Sequence, residues 1–412
     1  MITGKKHLVC GLIGKKLSHS FSPQIHSELA DYSYSLFELA EDELGGFLTS
    51  RNFDALNVTI PYKKAVIPYL DEISDEALRI GAVNTVVKAE NGALRGDNTD
   101  YYGLFHTLKS SGIKTQGKSV LILGTGGASL TAKCVCEDLG AKKISFLSRT
   151  GEINYENVYD VCRDTEVVIN CTPVGMYPHN GASPIELKRL PLCRGVVDLI
   201  YNPAKTKLLL EAEELGIPAA NGLYMLVAQA KRASELFLGE AIPDGEIDRV
   251  RELIAKKTEN IILVGMPGCG KTTVSLALAE MTSREVVDTD QMISEKHGRT
   301  PAEIINADGE EDFRIIETEI LAEAGKMSGV IISTGGGVVT RKVNRDLLRQ
   351  NGKVVFIKRP LDALATSDRP LSKNLESLYA HRLPLYRDFA DVEVDNITTP
   401  ENCAEEILEL LK

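Results

Sequence analysis

Two runs early in the chain end in groups that can move a proton. Asn57-Val-Thr59-Ile-Pro61-Tyr-Lys63 ends in an ammonium and Gly96-Asp-Asn98-Thr99-Asp100 in a carboxylate. Hydride arriving at a carbonyl carbon builds negative charge on oxygen. A lysine can stabilise and protonate that oxygen, and a carboxylate beside it keeps the lysine placed and charged. Ser20-Phe-Ser22-Pro23 and Gly81-Ala-Val-Asn84-Thr85 add hydroxyls and amides. That inventory suits a small polyhydroxylated carboxylic acid better than an apolar ligand.

Two glycine-rich loops point to phosphates. Gly124-Thr-Gly126-Gly127-Ala128-Ser129 follows an apolar strand and precedes a helix expected over Leu130 to Leu139. The first glycine permits the tight turn and the second lets backbone approach a pyrophosphate, while the small Ser129 allows close helix–strand packing. After the next strand, Lys143 to Leu147, comes Ser148-Arg149-Thr150. An arginine at this point accommodates a 2′-phosphate where Asp or Glu would select a free hydroxyl, so the cofactor expected is NADP(H).

Gly265-Met-Pro-Gly268-Cys-Gly270-Lys271-Thr272 fits the phosphate-loop pattern. Its backbone N–H groups cradle phosphates, Lys271 reaches the outer ones, and the Thr272 hydroxyl ligates Mg²⁺. The expected nucleotide is ATP, held by Gly265, Gly268, Gly270, Thr272 and Thr273. Val286-Val-Asp288-Thr-Asp290 then ends a strand in two carboxylates, near enough to Mg²⁺ and the acceptor for one to steer the metal shell and the other to take a hydroxyl proton, with Asp288 counted among the metal ligands.

These groups must be positioned by α/β architecture. Leu8–Gly14, Ser119–Gly124 and Asn260–Gly265 are continuous apolar runs that stop at glycine. Parallel strands covered on both faces read this way. Ser22-Pro23 opens a helix, with Ser22 expected as N-cap and Pro23 at the first helical position. Pro243-Asp-Gly245 is a turn, followed by Ile247, Val250, Leu253 and Ile254 at helical spacing. The expected boundary lies there, giving 1–258 and 259–412. Within the first half, 1–116 and about 222–258 form a substrate lobe and 117–221 a dinucleotide lobe.

At 412 residues the chain can bury several cores, and 47 basic against 58 acidic residues leave a net charge of −11. An acidic chain lacks the electrostatic footprint for a nucleic-acid backbone, and no apolar run approaches a membrane span. The eight cysteines form no C-x-x-C pair and are expected to be reduced thiols of a cytoplasmic protein. Small-molecule substrates are the expected partners, and the oligomeric state is left open.

The first 240 or so residues resemble the shikimate dehydrogenases. S-x-S-P, N-V-T-x-P-x-K, G-A-V-N-T, G-D-N-T-D and G-x-G-G-A-S stand in family order, followed by Asn170-x-Thr172 and Gly222-x-x-Met225-Leu-Val-x-Gln229. The resemblance implies reduction of 3-dehydroshikimate to shikimate with NADPH. It implies that Ser20, Ser22 and Tyr201 hold the carboxylate and that Thr59, Asn84, Asp100 and Gln229 hold ring hydroxyls. Lys63 and Asp100 become the catalytic pair, with Thr172 and Gly222 joining Ala128 and the glycine loop around the cofactor. Two departures stand out: no second basic residue follows Arg149 closely, and Gly151–Glu166 is too short for the usual helix, strand and helix before Val167. The helix after Thr150 should be missing or vestigial.

The second half resembles shikimate kinase. D-x-D, Phe313-Arg314, Gly335-Gly336-Gly337, Arg369-Pro370-Leu371 and Arg382-x-Pro-Leu-Tyr386 keep that family's order. By that resemblance Arg314, Gly336 and Arg382 bind the shikimate carboxylate and ring, Asp290 the 3-hydroxyl, and Arg369, on a lid expected to be short, the transferring phosphate. Together the halves imply a bifunctional enzyme of aromatic amino acid biosynthesis. Two alternatives share the motifs. A metabolite-sensing regulator would not need Lys63, Asp100, Lys271, Thr272 and Asp290, all of which are present. An NAD-using quinate dehydrogenase is kept open by the missing second basic residue.

Overall fold

A computed structural model of the chain describes residues 8–17, 20–364 and 375–411. Two compact units emerge, Met1–Tyr201 with Leu208–Ile254, and Asn202–Lys207 with Ala255–Lys412.

The first unit opens with β1 (Val9–Gly14), β2 (Ser33–Glu38), β3 (Ala55–Val58), β4 (Glu72–Ile73), β5 (Thr85–Lys88) and β6 (Leu94–Asp97). They form one sheet in the order β2-β1-β3-β5-β6-β4. β1 runs parallel to β2 and β3, whereas β5 is antiparallel to both its neighbours. Ile13, Leu48, Phe53, Leu56, Val86 and Leu94 fill one core of this lobe. The helices Thr99–Ser110 and Leu223–Leu238 pack along each other, and Gly103 lets the backbone of Met225 approach closely.

A second sheet holds β7 (Ser119–Leu123), β8 (Lys143–Leu147), β9 (Val167–Asn170), β10 (Gly195–Asp198) and β11 (Ala219–Ala220). All pairings are parallel, in the order β11-β10-β9-β7-β8. β7, β9 and β10 are buried at every position, the burial that their Val/Ile/Leu-rich sequences require. The chain steps from β7 to β8 on one side and from β9 outwards on the other, so a crevice opens where the order reverses. The short segment after Thr150 holds only the single helical turn Val158–Val161, and β8 is left as the edge of the sheet. The helix after the glycine loop runs from Gly127 to Asp138, three residues earlier than its apolar periodicity suggests, because it starts directly on the loop.

One expectation about capping is corrected. The helix Ser22–Leu29 has Phe21 at its N-cap, so Ser22 is the first helical residue, and no side chain caps this end. Ser20 Oγ instead accepts the Ser22 N–H at 3.2 Å. Both hydroxyls are thereby held on one short segment, with Ser22 freed from the capping role.

The second unit carries β12 (Asn260–Val264), β13 (Val286–Asp288), β14 (Ile331–Ser333), β15 (Gly352–Lys358) and β16 (Val392–Asp395), all parallel in the order β13-β14-β12-β15-β16. Ile262, Leu263, Val264, Ile332, Val355 and Phe356 form the centre of its core. The loops after β12, β13 and β14 therefore emerge side by side at one edge.

Candidate active sites

A cavity of about 720 Å³ opens in the first unit. Ser20, Ser22, Thr59, Lys63, Asn84, Asp100, Tyr201 and Gln229 all line it, so the structure gathers every substrate-site residue expected from the first half's sequence. Ala128 and Gly222 reach it from the dinucleotide side. Lys63 Nζ donates to Asp100 Oδ2 at 2.6 Å, and both side chains are largely shielded. Asp100 lies in the first turn of Thr99–Ser110, where unpaired N–H groups favour a carboxylate. Asn84 is oriented by its neighbours: its Oδ1 accepts from the Thr99 N–H at 2.7 Å and from the hydroxyls of Thr85 and Thr99 at 3.0 and 3.2 Å. The amide is fixed with its N–H₂ as the remaining donor.

Asn57 and Lys16 also line the cavity and were not singled out by sequence. Asn57 Oδ1 accepts from Tyr34 Oη at 2.8 Å and its Nδ2 faces Thr85 Oγ1 at 3.4 Å, which ties β3 to β5 behind the pocket. Its place in the motif beside Thr59 was the available signal. Under this wall the buried His26 stacks on Tyr34 at 4.0 Å, and burial pushes its imidazole down to about 3. His26 is therefore neutral packing and not an acid or base of this site.

The dinucleotide motifs meet at the carboxyl ends of β7, β8 and β9, whose last residues Leu123, Leu147 and Asn170 are in register. Gly124 has φ 102°, and a Cβ placed on it would lie 3.1 Å from Thr172 Cγ2. Thr172 Oγ1 donates to Asn170 Oδ1 at 2.7 Å. A side chain placed on Gly126 or Gly127 would meet nothing within 4 Å, so the helix N-terminus presents bare backbone to an open space. This is the cradle a pyrophosphate needs. Ser148 N–H donates to Ile153 O at 3.1 Å, closing a tight loop. Arg149 and Thr150 stand exposed on it, and Arg149 has no ion-pair partner among the described residues. Gly222 answers to packing as well: a Cβ there would overlap the backbone of Leu199.

In the second unit Gly265, Gly268 and Gly270 take φ of 154°, 82° and 95°, a loop shape that only glycine adopts freely. Lys271 Nζ donates to the carbonyls of Gly265 and Met266 at 2.9 and 3.1 Å and is buried. Thr273 Oγ1 donates to Gly270 O at 2.8 Å, whereas the hydroxyl of the exposed Thr272 has no hydrogen-bond partner among the described residues. Asp288 Oδ1 caps the helix Thr289–His297 through the N–H groups of Asp290 and Gln291, leaving its second oxygen outside the cap.

Facing this loop, Arg314 and Arg382 are both buried. Arg314 donates to Glu317 at 2.9 Å and Glu310 at 2.8 Å, and its guanidinium lies where a side chain on Gly337 would stand. Arg382 Nη1 and Tyr386 Oη both donate to Gly336 O, the former at 3.1 Å. A Cβ on Gly335 would lie 2.9 Å from Glu317 Oε1 and 3.0 Å from Asp290 Oδ1, so the two carboxylates flank one glycine. Burial pushes the Glu317 carboxyl up to about 6 against the pull of Arg314. Glu317 was missed in the sequence; its signal was the spacing of three from Arg314 on one helix. Arg359 was also missed and stands 3.7 Å from a Cβ position on Gly270. Arg369 and the expected lid lie outside the described residues.

Fold and sites define a two-lobed dinucleotide-dependent dehydrogenase followed by a phosphate-loop kinase. Residues 12–86 match the shikimate dehydrogenase substrate binding domain and residues 267–412 match shikimate kinase. A shikimate dehydrogenase (NADP(+)) of Syntrophomonas wolfei is 36% identical over 279 residues, covering 60% of this chain and 94% of that protein. The crystal structure of shikimate dehydrogenase 1 from Peptoclostridium difficile is 37% identical with a TM-score of 0.55, covering 60% of this chain and 97% of that one. A chorismate mutase/shikimate 5-dehydrogenase fusion protein from Clostridium acetobutylicum is 36% identical with a TM-score of 0.58, covering 61% and 97%. The chain belongs to the shikimate dehydrogenase family, and a shikimate kinase domain follows the dehydrogenase in the same polypeptide. Among the described residues no helix is long and apolar enough to cross a membrane.

Proposed function

We propose that the first unit reduces 3-dehydroshikimate to shikimate with NADPH and that the second phosphorylates shikimate at its 3-hydroxyl with ATP and Mg²⁺. The observation that carries this reading is the gathering of Ser20, Ser22, Thr59, Lys63, Asn84, Asp100, Tyr201 and Gln229 around one cavity that also reaches Ala128 and Gly222. Ser20, Ser22 and Tyr201 supply hydroxyl donors for the carboxylate. Thr59, the fixed amide of Asn84, Asp100 and Gln229 orient the ring hydroxyls. Lys63 donates its proton to the carbonyl oxygen as charge develops there, and Asp100 keeps the ammonium charged and aimed. Bound NADPH supplies the hydride. The open helix N-terminus at Gly126 and Gly127 receives its pyrophosphate and the exposed Arg149 its 2′-phosphate.

In the second unit Arg314, Arg382 and Gly336 hold shikimate, and Asp290 accepts the proton of the attacking hydroxyl. Lys271 exchanges its two backbone carbonyls for the outer phosphates of the nucleotide. The Thr272 hydroxyl and the uncapped oxygen of Asp288 are hard donors that would hold Mg²⁺, which would neutralise charge on the phosphates. Bound ATP supplies the phosphoryl group. The retention of Lys63, Asp100, Lys271 and Asp290 speaks for catalysis over metabolite sensing, and the compartment we propose is the cytoplasm. One coupled assay tests the whole reading. Incubation with 3-dehydroshikimate and NADPH should give shikimate, and added ATP with Mg²⁺ should convert it to the 3-phosphate. Absence of either product defeats the corresponding half.

A further inference from the structure

Three of the residues lining the first unit's cavity carry a formal charge, Lys16, Lys63 and Asp100. Lys63 and Asp100 are joined at 2.6 Å and neutralise each other. Lys16 has no hydrogen-bond or ion-pair partner among the described residues, so among them the cavity lining keeps one uncompensated positive charge. Its neighbour Lys15 is engaged outside the cavity, 3.2 Å from Glu41.

The backbone on both sides of Lys16 is pinned. Leu39 N–H donates to Gly14 O at 3.0 Å, Leu17 N–H donates to Glu38 Oε1 at 2.6 Å, and Ser20 N–H donates to Leu17 O at 3.0 Å. Lys16 therefore springs from a fixed point on the segment that carries Ser20 and Ser22 to the same cavity. Phe21 packs its ring against Tyr201 at 5.8 Å, which joins that tyrosine to this wall. Lys16, Ser20, Ser22 and Tyr201 thus line one cavity, and a carboxylate is the ligand that three hydroxyls and an ammonium fit. Neutral hydroxyls alone would accept an ester almost as readily as the acid. The ammonium is what adds a preference for charge.

We propose that Lys16 is the charge-recognition residue of the dehydrogenase site, selecting substrates with a free carboxylate and holding that group together with Ser20, Ser22 and Tyr201. This role rests on the dehydrogenase reading above. Because Lys16 is exposed, its pull is screened by salt and bears on binding, while the proton transfer belongs to Lys63.

The test measures oxidation of shikimate and of its methyl ester with NADP⁺ by the full-length parent, Lys16→Met and Lys16→Arg, at low and high ionic strength. Lys16→Met should raise the Michaelis constant for shikimate about 5- to 20-fold at low salt, between the effect of a screened surface pair and that of a charge-assisted hydrogen bond. Its kcat should stay within about threefold, high salt should shrink the difference, and Lys16→Arg should restore parent-like binding. For the methyl ester, parent and Lys16→Met should be alike. An unchanged Michaelis constant for shikimate in Lys16→Met overturns the role while leaving the reading intact, as does an equal loss with the ester. A parent that neither binds shikimate in calorimetry nor oxidises it removes the reading and this role together.

Discussion

Lys63 and Asp100 form a pair whose geometry carries a quantitative expectation. On the proposed reading the ammonium acts on charge that exists only in the transition state, so Lys63→Ala should cut dehydrogenase kcat by about a hundredfold to ten-thousandfold. The dissociation constant for shikimate should move far less. Steady-state kinetics beside calorimetric binding separate the two, and turnover within a few-fold of the parent would show that another group donates the proton. Arg149 makes a different claim. It is exposed and has no ion-pair partner among the described residues, and the loop offers no second cation close by. Arg149→Ala should raise the Michaelis constant for NADPH and leave that for NADH nearly unchanged, with only modest discrimination in the parent. Silence of the variant in a parent that also uses NADH would favour the NAD-using alternative.

Individual elements explain why some glycines serve the ligand and others the fold. Gly126 has φ −80° and an empty surround, so a side chain there costs the helix little but enters the space left for the pyrophosphate. Gly126→Val should therefore keep the parent's melting temperature and lose NADPH affinity at least about tenfold, the scale of a clash with a bound phosphate. Gly222→Ala should do the reverse of sparing the fold, because its Cβ would overlap the Leu199 backbone. A Gly126→Val protein that unfolds at lower temperature while binding NADPH normally would invert this assignment.

The helix Glu310–Ala324 holds a titration of its own. Burial raises the Glu317 carboxyl from its ordinary 4.5 to about 6. A raised folded-state value means that the folded unit holds this proton more tightly than the unfolded chain does. The stability so gained is fully present below about 4.5 and lost as pH rises through 6. Relative to Glu317→Gln, the second unit should lose up to about 2 kcal/mol across that window. Chemical denaturation of both proteins at several pH values checks the difference, and parallel curves would disprove it.

At the scale of the whole molecule, the residues proposed for each reaction lie within one unit, and the division falls within the helix Gly245–Thr258. Lys271→Met should abolish kinase turnover, and Asp290→Asn should do so while sparing nucleotide binding. Dehydrogenase rates should match the parent in both variants. Loss of dehydrogenase activity in a folded Lys271→Met protein would reveal coupling between the two reactions.

The sequence by itself determined what was local. Strands such as Asn260–Val264, buried at every position, announce themselves as apolar runs that stop at glycine, and phosphate loops need glycines at fixed spacing followed at once by a helix. The shortened segment after Thr150 was legible too, since chain length alone forbids the usual crossover, and a single helical turn is what remains. Only the tertiary structure decided what depends on neighbours remote in sequence. That Ser22 is not a cap turned on one backbone dihedral at Phe21. That Glu317 and Asp290 flank Gly335 follows from β13 and β14 lying side by side, a pairing that no spacing encodes. That Lys15 turns to Glu41 while Lys16 lines the cavity was beyond the sequence, because adjacent lysines are alike until the fold gives one a carboxylate and the other an open pocket.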